Sequence, residues 1–392
     1  MTWMAAAGTL TLAIWLWLVF LNGRFWQADQ RLDFTLPEAT NAPRVVAVLP
    51  ARNEADVVGR CVASLLSQDY ALPLHLVLVD DGSTDGTAEA ARAAAAALGA
   101  SDRLTVLTGA TRPPGWTGKL WAVSQGVAFA EALTPQPDHL LLTDSDIGHE
   151  PGHLKALVAK AMVGRLDLVS IMVRLHCRSG VERLLIPPFV YFFQKLYPFP
   201  RVNNPADRMA GAAGGCMLVR REALARAGGI AAIRGELIDD CALGRLIKAQ
   251  GPIWLGLSAR TESLRPYEGL GDIWSMVARS AYRQLRHNPL LLLGTVAGMA
   301  ATYIAPYACI IAWMVFGDGV AGLLGLSATS LMLVSYLPTL RLYGLSFLWA
   351  LSLPLAGALY GAMTFGSAWN HWRGRGGAWK GRVEGGLAGG PR

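Results

Sequence analysis

The sequence is short of charge. Only 16% of its 392 residues are Asp, Glu, Lys or Arg, and 53% are hydrophobic, where soluble domains average about 25% charged. That excludes an ordinary soluble protein and points to a membrane protein with a soluble middle. Cysteine is scarce as well. Cys61, Cys177, Cys216, Cys241 and Cys309 are scattered, with no C-x-x-C pair. This excludes a disulfide framework and suits reduced thiols facing a cytosol. There is no internal repeat, which removes solenoids and propellers. The net charge is +7, but the basic residues of the central part do not interleave with aromatics, so nucleic acid is not an expected partner. The first apolar run has no basic segment before it and no small-residue cleavage site after it. It is therefore an anchor and not a secretory signal.

The apolar excess gathers at the two ends. Trp3 to Leu21 has about the length needed to cross a bilayer, and Arg24 and Arg31 follow it, so residues 1–24 read as an anchor whose C-terminal side is cytoplasmic. Residues 25–43 form a linker. Three further apolar segments fall near 290–316, 320–340 and 345–368, within a region of 290–370. A basic, Gly-rich tail occupies 371–392. Three crossings would leave that tail outside, against the positive-inside tendency. Residues 271–289 carry an amphipathic pattern, Ile273, Trp274, Met276 and Val277 among Arg279, Arg283 and Arg286, suited to a membrane surface. The aromatic, proline-broken stretch 184–200 reads either as a buried helix of the central domain or as an interfacial segment meeting a greasy acceptor.

Residues 44–270 alternate strands and helices. Arg44–Pro50, Leu74–Val79, Leu104–Leu107, Leu140–Thr143, Leu166–Arg174 and a last short strand at 253–257 read as strands. Helices are expected after Glu54, over the Ala-rich 88–98, over 119–132 and over 154–164. This spacing predicts an α/β fold with a mostly parallel sheet and helices on both faces. Ligands of such sheets bind beyond the carboxyl ends of the strands. Asp80, Asp81, Asp144 and Asp146 all fall there. In an extended stretch Asp144 and Asp146 share one side, and two such carboxylates are tolerable around a hard divalent cation, Mn²⁺ or Mg²⁺. Asp239 and Asp240 open a helix, where the dipole alone favours acids. His149 and His153 read as residues of a helix start rather than as ligands.

Four motifs now stand in order: Pro50-Ala-Arg-Asn-Glu54, Val79-Asp-Asp-Gly-Ser-Thr-Asp85, Asp144-Ser-Asp146 and Asp239-Asp-Cys-Ala-Leu243. Together, over about 44–290, they resemble the family 2 glycosyltransferases of the GT-A fold, with its Rossmann-like sheet. The resemblance implies nucleotide-sugar binding by Pro50, Arg52, Glu54, Asp80, Asp81, Lys119 and Asp144. It implies Asp146 as the direct metal ligand, with Asp144 nearer the sugar or ribose. Asp240, beside Asp239, takes the place of the base for an inverting transfer, and Asp239 stands where the family has Glu. Arg283 and Arg286 lie where the family places an arginine at the pyrophosphate, with His287 in place of a Trp. Trp116-Thr-Gly-Lys-Leu-Trp-Ala, Ala213-Gly-Gly-Cys-Met-Leu and Ala281-Tyr-Arg-Gln-Leu-Arg are similar to stretches of the hopene-associated glycosyltransferases. More distantly, the arrangement of anchor, domain and C-terminal segments is similar to ceramide glucosyltransferases. The implied protein is a multi-pass enzyme of the bacterial inner membrane with a cytoplasmic catalytic domain. It would use a UDP-sugar donor, a lipid acceptor such as a hopanoid, and a divalent cation. A processive polysaccharide synthase and a non-catalytic membrane scaffold are the alternatives.

Overall fold

The computed structural model describes residues 2–36, 41–374, 378–379 and 382–383. Apart from its first residues and two strand fragments, the expected tail 371–392 lies outside the described residues. The chain forms two compact units, one of 29–176 and 201–266, the other of 2–28, 177–200 and 267–374.

The first unit is built on an eight-stranded sheet in the order β3-β2-β1-β4-β7-β6-β8-β5. Its strands are β1 (Val45–Ala51), β2 (His75–Asp80), β3 (Leu104–Thr108), β4 (His139–Thr143), β5 (Ile147–His149), β6 (Leu168–Arg174), β7 (Cys216–Arg220) and β8 (Ile253–Ser263). Apolar runs make the central strands: every residue of β1 and β4 is buried, as strands covered on both faces must be. β1, β2, β3 and β4 are parallel. β7 runs antiparallel to β4 and β6, and β5 antiparallel to β8.

The register decides where the chemistry falls. Ala51 pairs with Asp80, and Asp80 with Thr108. The ends of β1, β2 and β3 therefore lie side by side. Because β7 is antiparallel, Thr143 pairs with Cys216, which brings Gly214 and Gly215 to the carboxyl end of β4. β8 is longer than the expected 253–257. Its outer half, with Arg260 and Glu262 exposed, pairs with β5 through Ile147 and Ser263.

The second unit holds four helices long and apolar enough to cross a membrane: Trp3–Leu21, Pro289–Phe316, Gly319–Leu342 and Phe347–Trp372. They match the expected anchor and three later segments. Pro306 has no N–H for the carbonyl of Thr302, four residues before it, and the indole of Trp15 donates to that carbonyl at 2.8 Å. The helix is π-wound over Ala300–Ile304 at the same place.

The aromatic stretch is a continuous helix, Gly180–Leu196, despite Pro187 and Pro188. It packs in this unit and interrupts the expected continuous 44–270 domain. Tyr191 is fully buried beside Phe25 and Tyr336 and shares a hydrogen bond with Ser335 at 2.7 Å. The amphipathic stretch is two helices, Leu270–Ala278 and Ala281–Gln284, not one.

Candidate functional site

Two loops at the ends of β1 and β2 are laced together. The N–H of Asn53 donates to Ser83 Oγ at 3.0 Å, that of Glu54 to Thr87 Oγ1 at 2.8 Å, and that of Ala55 to Asp85 Oδ2 at 3.0 Å. Thr84 N donates back to Asn53 Oδ1 at 3.0 Å. Asp80 spends its carboxylate on its own turn, accepting from Ser83 N at 2.9 Å, which is the ordinary work of Asp in such a turn. Asp81 is buried and pairs with Arg52 at 3.7 Å. Gly109, at the end of β3, leaves no room for a side chain: a Cβ there would lie 3.0 Å from Asp80 O. Pro50 closes β1 and lines the neighbouring cleft.

That cleft, about 340 Å³, is lined among others by Lys119, Asp144, Gly214 and Asp239. Lys119 rides on the helix Gly118–Ala132, whose first turn is capped by Thr117. Its ammonium lies 2.8 Å from Asp144 and 3.2 Å from Asp239. Burial works against its charge, but those carboxylates outweigh it and hold the lysine well above its ordinary range. Asp239 and Asp240 open the helix Asp239–Lys248. The backbone N–H groups of Gly214 and Cys241 donate to Asp240 at 2.9 and 2.7 Å. Burial, and then Asp239 beside it, push the Asp240 carboxyl up to about 6, with Lys119 pulling the other way. The antiparallel turn into β7 makes this cluster, since a Cβ on Gly214 would lie 3.4 Å from Asp240 and 3.5 Å from Lys119 Nζ.

The strand argument for Asp144 and Asp146 needs correcting. β4 ends at Thr143, and Ser145 and Asp146 form a turn, so the alternation of an extended chain does not govern them. Each carboxylate has its own cation. Asp144 pairs with Lys119, while Asp146 faces the Arg265 Nε at 3.8 Å. Arg265 also bonds Glu54, which is buried, and lies 3.8 Å from Asp56. Sequence reasoning missed Arg265. The only signal was a basic residue directly after the last strand and before Pro266.

Arg283 and Arg286 belong to the helical unit, on and just after the helix Ala281–Gln284, and are not among the residues gathered above. His287 does stack, but on His371, at 4.0 Å and 9° between planes. His153 starts the helix His153–Gly164, while His149 ends β5 and is no part of a helix start. With Cys216 they form a buried group whose ligand-capable atoms lie within 4.8 Å of one another, a set that could hold a metal ion. Burial lowers both imidazoles far below the ordinary range, His149 to about 3. Thr143 and Thr261 already bond them, at 3.2 and 2.9 Å.

Residues 46–228 match the profile of Glycosyl transferase family 2. Over that stretch the chain is similar to the family 2 glycosyltransferases. An N-acetylglucosaminyltransferase of Rhizobium leguminosarum bv. viciae is 30% identical over 168 residues, covering 41% of this chain and 37% of that protein. One of Azorhizobium caulinodans is 48% identical over 46 residues, 12% of each. The matches thus span 37% and 12% of the length of these two relatives. The mannosyltransferase PcManGT from Pyrobaculum calidifontis, solved with GDP-Man and Mn²⁺, superposes with a TM-score of 0.57 at 19% identity, covering 94% of this chain and 99% of that one. That likeness shows the fold, an α/β domain of GT-A type, in a chain with membrane-length helices at both ends.

Proposed function

We propose that the protein is a membrane-bound inverting glycosyltransferase that moves a sugar from a UDP-sugar to a lipid acceptor, a hopanoid being the lipid its sequence resemblance implies. The observation that carries this reading is the cluster of Lys119, Asp144, Asp239 and Asp240 at one cleft. The bacterial inner membrane, with the domain on the cytoplasmic side, is the expected location.

Each residue has a task. Asp240 takes the proton of the acceptor hydroxyl. A carboxyl that titrates near 6 is ionised at neutral pH yet more basic than a free aspartate, which suits a general base. The Gly214 and Cys241 N–H groups fix its orientation. Asp144 and Asp146 are hard oxygen donors with side chains 35% and 23% exposed, a set that fits Mn²⁺ or Mg²⁺. When bound, such a cation supplies Lewis-acid stabilisation of the leaving diphosphate. Lys119 adds a fixed positive charge beside it. Arg52 and Asp81 stand for the nucleoside end.

Purified protein given radiolabelled UDP-sugar and a bacterial lipid extract should yield a labelled lipid. Asp240→Asn should lower that turnover by about 10²–10⁴-fold. An insoluble labelled polymer would support the processive synthase instead. Unchanged turnover in Asp240→Asn would remove Asp240 as the base, and no transfer from any nucleotide sugar would leave the scaffold reading standing.

A further inference from the structure

We propose that Arg265 is a built-in electrostatic gate on the divalent-cation position. Its guanidinium holds Asp146 and Glu54 while no cation is bound, and it lowers the affinity of that position for a cation until a diphosphate arrives. The inference rests on the reading of Asp144 and Asp146 as the cation's ligands.

The placement of Arg265 is fixed by the backbone and not by side-chain chance. Ile147 pairs with Ser263, Leu264 N donates to Asp146 O at 2.7 Å, and Arg60 donates to Leu264 O at 3.3 Å. The next residue is therefore held against Asp146, and Pro266 limits the backbone after it. Two edges of the guanidinium are in use. Nη2 bonds Glu54 and lies 3.8 Å from Asp56, while Nε faces Asp146 Oδ2 at 3.8 Å. Glu54 is nearly buried, with a side chain 9% exposed, and an unpaired carboxylate there would be costly. The arginine is thus tied to Glu54 and only leans on Asp146.

A fixed positive charge at this distance has two opposite effects. It repels a divalent cation at Asp146, and it attracts the diphosphate oxygens that accompany a donor. Removing it should tighten cation binding in the absence of nucleotide and weaken nucleotide binding in the presence of the cation. A residue that merely supported the fold would move both affinities the same way.

The test measures Mn²⁺ binding to the full-length protein in detergent, by the loss of the free Mn²⁺ electron paramagnetic resonance signal. UDP binding at saturating Mn²⁺ follows by calorimetry. Arg265→Gln should bind Mn²⁺ about three- to tenfold more tightly than wild type without nucleotide, with the difference shrinking at high salt. UDP should bind it several-fold more weakly. Arg265→Lys keeps the charge and should bind Mn²⁺ within about twofold of wild type, and it carries the test if the glutamine variant does not fold. A tenfold change in Arg265→Lys overturns the proposal. So does equal Mn²⁺ affinity in wild type and Arg265→Gln while Asp146→Asn loses it, and in that case the ligand reading survives. Absence of Mn²⁺ binding to both wild type and Arg265→Gln, with and without UDP, overturns both.

Discussion

Asp240 shows how one residue's surroundings set its chemistry. Burial and Asp239 raise its carboxyl to about 6, and Lys119 opposes them. The base is the carboxylate, so transfer should fall as pH drops through about 6. Lys119→Met removes the opposing charge. Asp240 then titrates higher, the acid limb of the kcat/KM profile moves to higher pH, and activity at pH 7 drops, whereas Lys119→Arg keeps the limb near its wild-type position. A pH profile recorded on the two variants checks this, and a limb that stays put in Lys119→Met would separate the two residues. The same shift bears on stability. A carboxyl whose folded value lies above its ordinary 3.8 contributes fully below that value, and the contribution is lost as pH rises through about 6. The site is therefore held at some cost at neutral pH, as functional carboxylates often are. The sequence pattern places Asp144 at a strand end and Asp239–Asp240 at a helix start, while Lys119 is pointed to only by the family resemblance; the structure brings their side chains together. Arg265 was not legible, because an arginine after a strand looks like any surface charge until the pairing of β5 with β8 is known.

The elements were legible in proportion to how fully they are buried. β1, β2 and β4 are unbroken apolar runs and fall where expected. β8 was cut short in the reading because its outer half alternates exposed and buried residues at the sheet's edge. Of the two readings of the aromatic stretch, the structure shows the helix: Gly180–Leu196 runs through Pro187 and Pro188, and it packs against Tyr303, Tyr336 and Tyr360. Tertiary packing overrides local preference there. The helix Gly118–Ala132 makes the opposite point, since its place is set by a residue with no side chain. Gly126 lies against β1 and β2, and a Cβ there would sit 2.4 Å from Val48 Cγ1 and 3.1 Å from Val79 Cγ2. Gly126→Ala gains up to about 1 kcal/mol of helix propensity but forces overpacking worth about 1–3 kcal/mol. The variant should be less stable by about 1 kcal/mol, a fall in Tm of about 2–4 °C. It should also lose activity, because the shifted helix carries Lys119. Thermal unfolding of the purified protein checks the first effect and donor binding the second. A variant as stable as wild type would mean that the strands yield without cost.

At the scale of the whole molecule, the contacts within the helical unit bear on the conflict over the tail. Thr2 donates to Asp318, so the start of the first apolar helix and the turn between Phe316 and Gly319 share one end. The helix Pro289–Phe316 begins at the other end, just after His287. The last helix runs antiparallel to the first half of that segment: Gly357 lies against Tyr303 and Gly366 against Trp274, Ser367 Oγ accepts from Tyr282 N at 3.0 Å, and His371 stacks on His287. Trp372 therefore finishes beside the start of Pro289–Phe316, away from Thr2. Counting apolar segments could not reveal this, because counting assumes that each one carries the chain to the opposite side. The packing predicts that the chain leaves Trp372 on the side of His287, the side on which the positive-inside tendency wants basic residues. Reporter fusions check this in intact cells. Green fluorescent protein joined after Arg392 should fluoresce, and alkaline phosphatase joined there should be inactive, if His287 faces the cytoplasm. The same phosphatase inserted at Asp318 should be active. Matching readings at 318 and 392 would show that Phe347–Trp372 is a full crossing and that the pairing of His371 with His287 does not hold in the membrane.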